Sequence, residues 1–524
     1  MASPPTLLSL PREICDNIYE HYVTSDVFQK SADVSAADIL RTQYDRPIDV
    51  ELVYTCKITR EEMKGFGLFL RFNTIHFSTG TSTDLRVLAT RFDGLMCNLD
   101  RGRASLLAVA GYGMSKRPHE KLKSKYPQFA PLLDAIREAH GKYWGRRRPG
   151  WPYGEAPSLL RTFTKEVLET VARSPIGADA LDHWETTLFF PVERLKLRRD
   201  EYFPGYLLPM VRCRVRHWTI PSEDDMQSLC TEVYESESFI KHIKRNGDRT
   251  KFRFSAAAAA IHFLQYLPAM LRAQLRSIVL NEDHESIAKP QCHGLGLIPF
   301  RQDNPLLRVE RRFGLWNNAF LRDRRYDKHP EHRNIGQWIV ETLALGPAGM
   351  PPSSFTMLLD GQPVPQQCAQ IFQLTIQRDA SWQAAWIESL SRGIMPELSW
   401  FDRRCHTSGI WLTRVCVYPG YKYECLPQAL RDIADNKSIV RCNFNVGEPW
   451  DVEKIIHEHR SWILEEWAEE WAKHEPATWE PAAPLPGLRA ILERNLVLKK
   501  PRYRRSLYRD STYWVRGAVH CESR

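Results

Sequence analysis

A leucine–proline pair ahead of an amphipathic run, LLSLPREICDNIYEHYV at residues 7–23, commits the start of this chain to a helix. Proline has a fixed φ and no amide N–H, so Pro11 suits a first helical turn, where that donor has no partner anyway. Glu13 and Asp16 lie near the positive end of the helix dipole. Ile14, Ile18 and Tyr22 recur every fourth residue, with Tyr19 and Val23 one step on, which makes an apolar stripe of about three turns. Leu10, just outside the start, is placed to pack back as a staple. Such a stripe has two uses. It faces the protein's own core, or it is offered to a partner.

Bulk properties narrow the classes. The chain has 524 residues, 43% hydrophobic and 26% charged, which fits a folded protein with about two to four domains. Nine of its 16 tryptophans lie between Trp382 and Trp479, so a packed aromatic core is expected in the C-terminal half. The net charge of +9 permits contact with nucleic acid without demanding it. Twelve cysteines are scattered with no CxxC pair, as free thiols of a reducing compartment would be. The N-terminus has no basic n-region or long apolar run, so no signal peptide is expected. The most apolar stretch, from Ala256, is interrupted by His262, Gln265, Pro268, Arg272 and Gln274 and is too polar to span a bilayer. Cytoplasmic or nuclear residence follows as the expectation.

Periodicity gives both helices and strands, an α+β class. Short strands are expected at Leu85–Leu88 and Ser105–Val109, and a helix at Pro131–Tyr143. A Pro/Gly/Arg-rich linker covers 145–157 and a second covers 346–354. A helix is expected from an N-cap at Ser158 to Arg173. VRCRVRHWTI at 211–220 alternates as a half-exposed strand does. Ser255–Leu275 reads as a helix interrupted at Pro268, RSIVLNED from Arg276 as a strand and turn, and Trp411–Val417 as a strand. Val452–Lys473 is the strongest helical pattern, stopped by Pro476, Pro481, Pro484 and Pro486. Helix–strand alternation is similar to that of leucine-rich repeats, but no fixed period is found, so no solenoid is assigned.

Leu10-Pro11-x-Glu13-Ile14-x-x-x-Ile18-Tyr19 resembles the opening of an F-box, in the diverged form of large fungal families. LVYTCKITREEMKGFGLFLRFNTIHF, 52–77, is similar to the helix and short strand that follow in those proteins, matching at Leu52, Cys56, Glu61, Glu62, Asn73 and Phe77. A polar insert, about residues 25 to 47, separates the two pieces. Residues 263–316 resemble a further block of the same proteins. The resemblance implies a multi-domain protein, a small helical F-box-like N-terminal unit followed by a mixed helix/strand, Trp-rich body. The expected divisions are 1–80 (F-box-like unit with insert), 81–150 (mixed segment and basic linker), 151–345 (central α+β), 355–480 (Trp-rich) and 481–524 (Pro-rich, then basic). It also implies a non-enzymatic substrate adaptor of a cullin ubiquitin ligase, with Leu10, Pro11, Ile14, Ile18 and Tyr19 binding a Skp-type adaptor protein and the body selecting a target protein.

Motifs for chemistry are scarce. AGYGMSK at Ala110 and HGLGLIPF at His293 lack the glycine spacing of a phosphate cradle, and Gly294 and Gly296 are expected to serve a turn with positive φ. Cys292-His293, Cys405-His406 and His457-x-His459 are not ready-made chelates, because neighbours on a strand, and i and i+2 on a helix, diverge. No serine elbow occurs. No catalytic, metal or cofactor residue is assigned. Lys499, Lys500, Arg502, Arg504 and Arg505, interleaved with Tyr503 and Tyr508, suit nucleic-acid contact or an import signal. That supplies the alternative function, a nucleic-acid-binding or scaffold protein using its basic tail.

Overall fold

The computed structural model describes residues 7, 10–25, 30–32, 51–63, 67–80, 83–107, 110–138, 153–174, 177, 207–234, 249–320, 332–405, 423–463, 466–467 and 481–498. The first helix, α1, is Arg12–Ser25, followed by strand β1 (Lys30–Ala32). Three short helices, α2 (Glu51–Thr55), α3 (Lys57–Glu62) and α4 (Gly67–Phe72), lead into β2 (Thr74–Ser78). A long helix α5 (Thr83–Leu107), α6 (Lys116–Lys125), α7 (Ala130–Glu138) and α8 (Pro157–Ala172) come next. The later strands are β3 (Arg249–Lys251), β4 (Ser277–Glu282), β5 (Arg308–Gly314), β6 (Phe355–Asp360), β7 (Val440–Cys442) and β8 (Leu496–Leu498).

Helices and sheet together make an α+β fold. Six strands form one sheet in the order β1-β2-β4-β5-β6-β7, every pair parallel. β3 and β8 form a separate antiparallel ribbon. Neighbours in the large sheet follow chain order, and with right-handed crossovers this puts successive connections on one face. Strands β2, β4, β5, β6 and β7 begin at residues 74, 277, 308, 355 and 440, so there is order without period. Phe77, Leu280, Arg311, Met357 and Val440 sit side by side and are buried. The next row, Ser78, Asn281, Arg312, Leu358 and Arg441, faces the other way and is half-buried or exposed.

The buried face forms one core with Cys15 and Tyr19 of α1, Met63, Leu70, the helix Ala256–Tyr266, and Leu426 and Leu430. The lines expected at 80 and at 346–354 therefore run through a single sheet and core. Residues 346–354 are a tight turn between the helix His332–Leu343 and β6, with Gly349 at φ +102°. α7 and α8 share a second core with Tyr153 and Phe401. Trp382, Trp386 and Trp467 close a third with Ile455 and Ile456, so the tryptophan-rich stretch does build a core.

Several local expectations hold: a helix covers Ala256–Tyr266, Pro268 interrupts it, and β4 follows. The structure adds that Ser255 caps this helix, its side chain accepting the N–H of Ala258. Others are corrected. Leu85–Leu88 and Ser105–Leu107 lie in α5, because Leu88, Phe92, Leu95, Met96 and Leu99 continue a helical burial pattern longer than any strand window reveals. The N-cap of α8 is Ala156 with Pro157 at the first position; Ser158 lies inside, its N–H donating to Glu341 Oε1 at 2.8 Å. Residues 211–220 alternate in burial through Arg216 but pair with no strand among the described residues. Residues 207–212 are helical, and the guanidinium of Arg103 takes the carbonyls of Met210 and Cys213 at 3.0 and 2.6 Å. The helix from Val452 ends at His459. Glu466 Oε2 then accepts the N–H of Ile463 at 2.8 Å and a new turn carries Trp467 back onto the core. The strand expected at Trp411–Val417, most of the 145–157 linker and the basic tail with Lys499, Lys500, Arg502, Arg504 and Arg505 lie outside the described residues.

Candidate functional site

α1 divides its apolar residues between two faces. Pro11 ends the approach, and its carbonyl accepts the N–H groups of Ile14 and Cys15 at 3.0 and 3.1 Å. Arg12 pairs with Asp16 one turn on at 2.9 Å. Cys15 and Tyr19 point inward and are buried in the main core, with Leu10 and Tyr22 packed beside them. Pro11 is exposed, and Ile14 and Ile18 expose 45% and 36% of their surface. Adjacent helical residues lie about 100° apart, so Ile18 and Tyr19 part company. The single stripe expected from the sequence is thus two. Of the five residues assigned to a partner, Pro11, Ile14 and Ile18 face outward. Tyr19 is corrected to a core residue, with Glu62 of the second segment as its partner, and Leu10 to a half-buried one packed against the main core.

That second segment holds α1 in place. Tyr19 Oη donates to Glu62 Oε2 at 2.5 Å, and burial together with that bond pushes the phenol up to about 12. Arg12 Nη1 reaches Glu62 Oε1 at 2.9 Å. Tyr22 Oη accepts the N–H of Leu52 at 3.3 Å. Cys56 caps α3, its Sγ accepting from the N–H of Thr59. Phe77 meets Phe263 with ring centroids 5.6 Å apart, and β2 pairs with β4. The segments 7–23, 52–77 and 263–316, far apart in sequence, therefore make one block. Tyr54 and Ile58, on α2 and α3, expose 75% and 52%.

The other candidates resolve into packing. His293 is buried, its Nε2 2.9 Å from the carbonyl of Ala288 and its Nδ1 2.6 Å from Ser255 Oγ. Ser255 Oγ in turn accepts the N–H of Ala258. His459 lies among Trp382, Trp462 and Trp467. No group of three metal-ligating side chains occurs among the described residues. Gly294 and Gly296 lie in a 3₁₀ turn, Pro290–Leu297, and neither is among the glycines with positive φ. They are small because Leu345, Ile261 and Trp218 press on them: a Cβ at Gly296 would stand 2.5 Å from Ile261 Cδ1. Gly111 of AGYGMSK serves the same end, its missing Cβ falling 2.1 Å from the carbonyl oxygen of Ile136.

Sequence reasoning missed a cleft of about 1150 Å³ between α5, α8, residues 215–218 and the turn around Lys289. Asp100 lies in it, with Oδ2 3.0 Å from His217 Nε2 and 2.6 Å from Lys289 Nζ. Burial alone would raise this carboxyl, but the hydrogen bond from His217 and the Lys289 charge hold it well below the usual range. Cys292 lines the same cleft, yet burial pushes its thiol up to about 11, and Sγ donates to the carbonyl of Lys289. That thiol is not poised as a nucleophile, which would need a lowered pKa. The cleft is rich in cations, among them Arg103, Lys165 and Arg216. Of the alternating arginines at 212, 214 and 216, only Arg216 lines it.

No family model matches the chain, and no curated protein or solved structure is significantly similar to it. No helix among the described residues is long and apolar enough to cross a membrane.

Proposed function

We propose that this chain is a non-enzymatic interaction protein, an F-box-like adaptor whose first helix docks a Skp-type subunit of a cullin ubiquitin ligase while the body selects a target protein. One observation carries the reading: α1 is anchored by Tyr19 and Cys15 and still presents Pro11, Ile14 and Ile18 to solvent. An anchored helix has lost its conformational freedom in advance, so two exposed isoleucines one turn apart can be buried at low entropic cost. A few buried apolar anchors dominate such interfaces. The described cysteines are free thiols, in keeping with the cytoplasmic or nuclear setting such a ligase requires.

The test is co-purification with a recombinant Skp-type subunit. Wild-type chain is expected to retain it, and Ile14→Asp combined with Pro11→Ala to lose it. Because both side chains are exposed, the double variant should keep the thermal midpoint of the wild type. Failure of the wild type to bind, or retained binding by a folded double variant, overturns the proposal.

A further inference from the structure

The cleft beside α5 and α8 is lined by more cations than carboxylates. Its wall includes six Lys or Arg side chains against two Asp. Both Asp are committed: Asp93 Oδ1 accepts the N–H of Ala288 at 2.7 Å, and Asp100 binds His217 and Lys289. Arg161 leans toward buried Glu341 at 3.5 Å, and Lys251 toward Glu285 at 3.9 Å. Three cations remain under-compensated. Arg103 is buried and spends two N–H groups on the neutral carbonyls of Met210 and Cys213. Lys165 reaches Glu169 only at 3.8 Å, and that carboxylate is shared with Arg173 at 3.9 Å. Arg216 lines the same wall from its exposed rim. Burial and then the charges of Arg103 and Arg216 lower the ammonium of Lys165, so the three crowd one another. Like charges gathered in a concave, partly desolvated site repel unless an anion joins them, and that is how phosphate sites are built.

We infer that this cleft binds a small organic phosphate, with Arg103, Lys165 and Arg216 on the phosphoryl oxygens and Trp218 and Phe300 walling its apolar part. The volume slightly exceeds the usual range for small-molecule sites, roughly 300–1000 Å³, and suits a nucleotide-sized or polyphosphorylated ligand. Arg103 is fixed by its two carbonyl bonds, so its remaining donors are preorganised, while Lys165 and Arg216 supply charge. This site is independent of the partner face of α1.

Calorimetric titration of the full chain with pyrophosphate, ATP and inositol hexakisphosphate tests it, the last two separating a nucleotide from a polyol phosphate. Saturable binding of ATP or inositol hexakisphosphate, tighter than that of pyrophosphate and weakening with added salt, is expected; binding of pyrophosphate alone overturns the organic part of the assignment. Lys165→Met with Arg216→Gln should weaken it about tenfold or more, the scale of losing a charge-assisted hydrogen bond. Lys454→Gln, on an exposed helix face outside the cleft, should leave it unchanged. Absence of binding, equal affinity in the double variant, or loss of binding only on deleting residues 499–524 overturns the inference. So does binding of a phosphorylated peptide when none of the three small probes binds.

Discussion

Arg311 on β5 and Glu282 on β4 form an ion pair with both side chains 1% exposed, Nη2 to Oε1 at 2.6 Å. The carboxylate also accepts the N–H groups of Ala256 and Ala257, at the N-terminus of the helix that covers the sheet. The guanidinium donates further to the carbonyl of Pro290 and lies 4.5 Å over the ring of Trp338. One pair thus ties two strands, a helix start and the turn after β4.

Removing one partner strands the other charge in the core. Arg311→Met is expected to cost about 3–5 kcal/mol in urea unfolding. Glu282→Gln with Arg311→Met should cost less than the sum of the single changes, because neither charge is left alone. Additive losses in the double-mutant cycle would show that the two groups act separately.

Tyr19→Phe removes the bond to Glu62 and should loosen α1 by about 1–3 kcal/mol, seen as faster hydrogen exchange across residues 15–22. Tyr19 ordinarily titrates near 10 and here is held up to about 12. Its contribution is complete below pH 10 and is lost as pH climbs from 10 toward 12, where the unfolded phenol ionises and the folded one resists. Tyr19→Phe should flatten that alkaline decline; an identical decline refutes the assignment.

His217 and His293 both lie below their ordinary value of 6.5, chiefly through burial. The unfolded chain takes up protons below pH 6.5 that the folded chain resists, so stability falls as pH drops from 6.5 toward 5. His293→Gln, which can still meet Ala288 and Ser255, is expected to make the urea midpoint less steep over that window. An unchanged slope would rule out His293 as a contributor.

Gly111→Ala and Gly296→Ala should differ in a defined direction. At Gly296 the added methyl meets the side chains of Ile261 and Trp218, which can shift, and about 1–3 kcal/mol is expected. At Gly111 it meets backbone, the carbonyl of Ile136, which cannot shift without moving α7. Gly111→Ala should therefore lower the thermal midpoint more, and the reverse order would contradict the packing.

Local patterns reported what local forces decide. The Leu10-Pro11 start, the helix from Ser255 and its interruption at Pro268 were legible because each depends on a residue's own φ, its donors and its neighbours within one turn. Three segments far apart in sequence, 7–23, 52–77 and 263–316, are joined in space by Tyr19–Glu62 and Phe77–Phe263. The same local reading failed at Leu85–Leu88, where four residues are too few to tell a helix from a strand. It failed again at Val211–Ile220, where residues 207–212 are helical and Arg103 from another helix binds the carbonyl of Cys213.

The sequence by itself determined the mixed helix and strand content, the tryptophan core and the position of the first helix, because periodicity and turn chemistry act over a few residues. Only the tertiary structure decided which side of that helix is buried and which is left exposed. Tyr19 faces inward because Glu62, forty-three positions on, supplies a carboxylate there; Ile14 and Ile18 stay outside because nothing covers them among the described residues. The parallel order of the sheet and the gathering of Arg103, Lys165 and Arg216 in one cleft likewise come from contacts between distant segments, which no local pattern encodes.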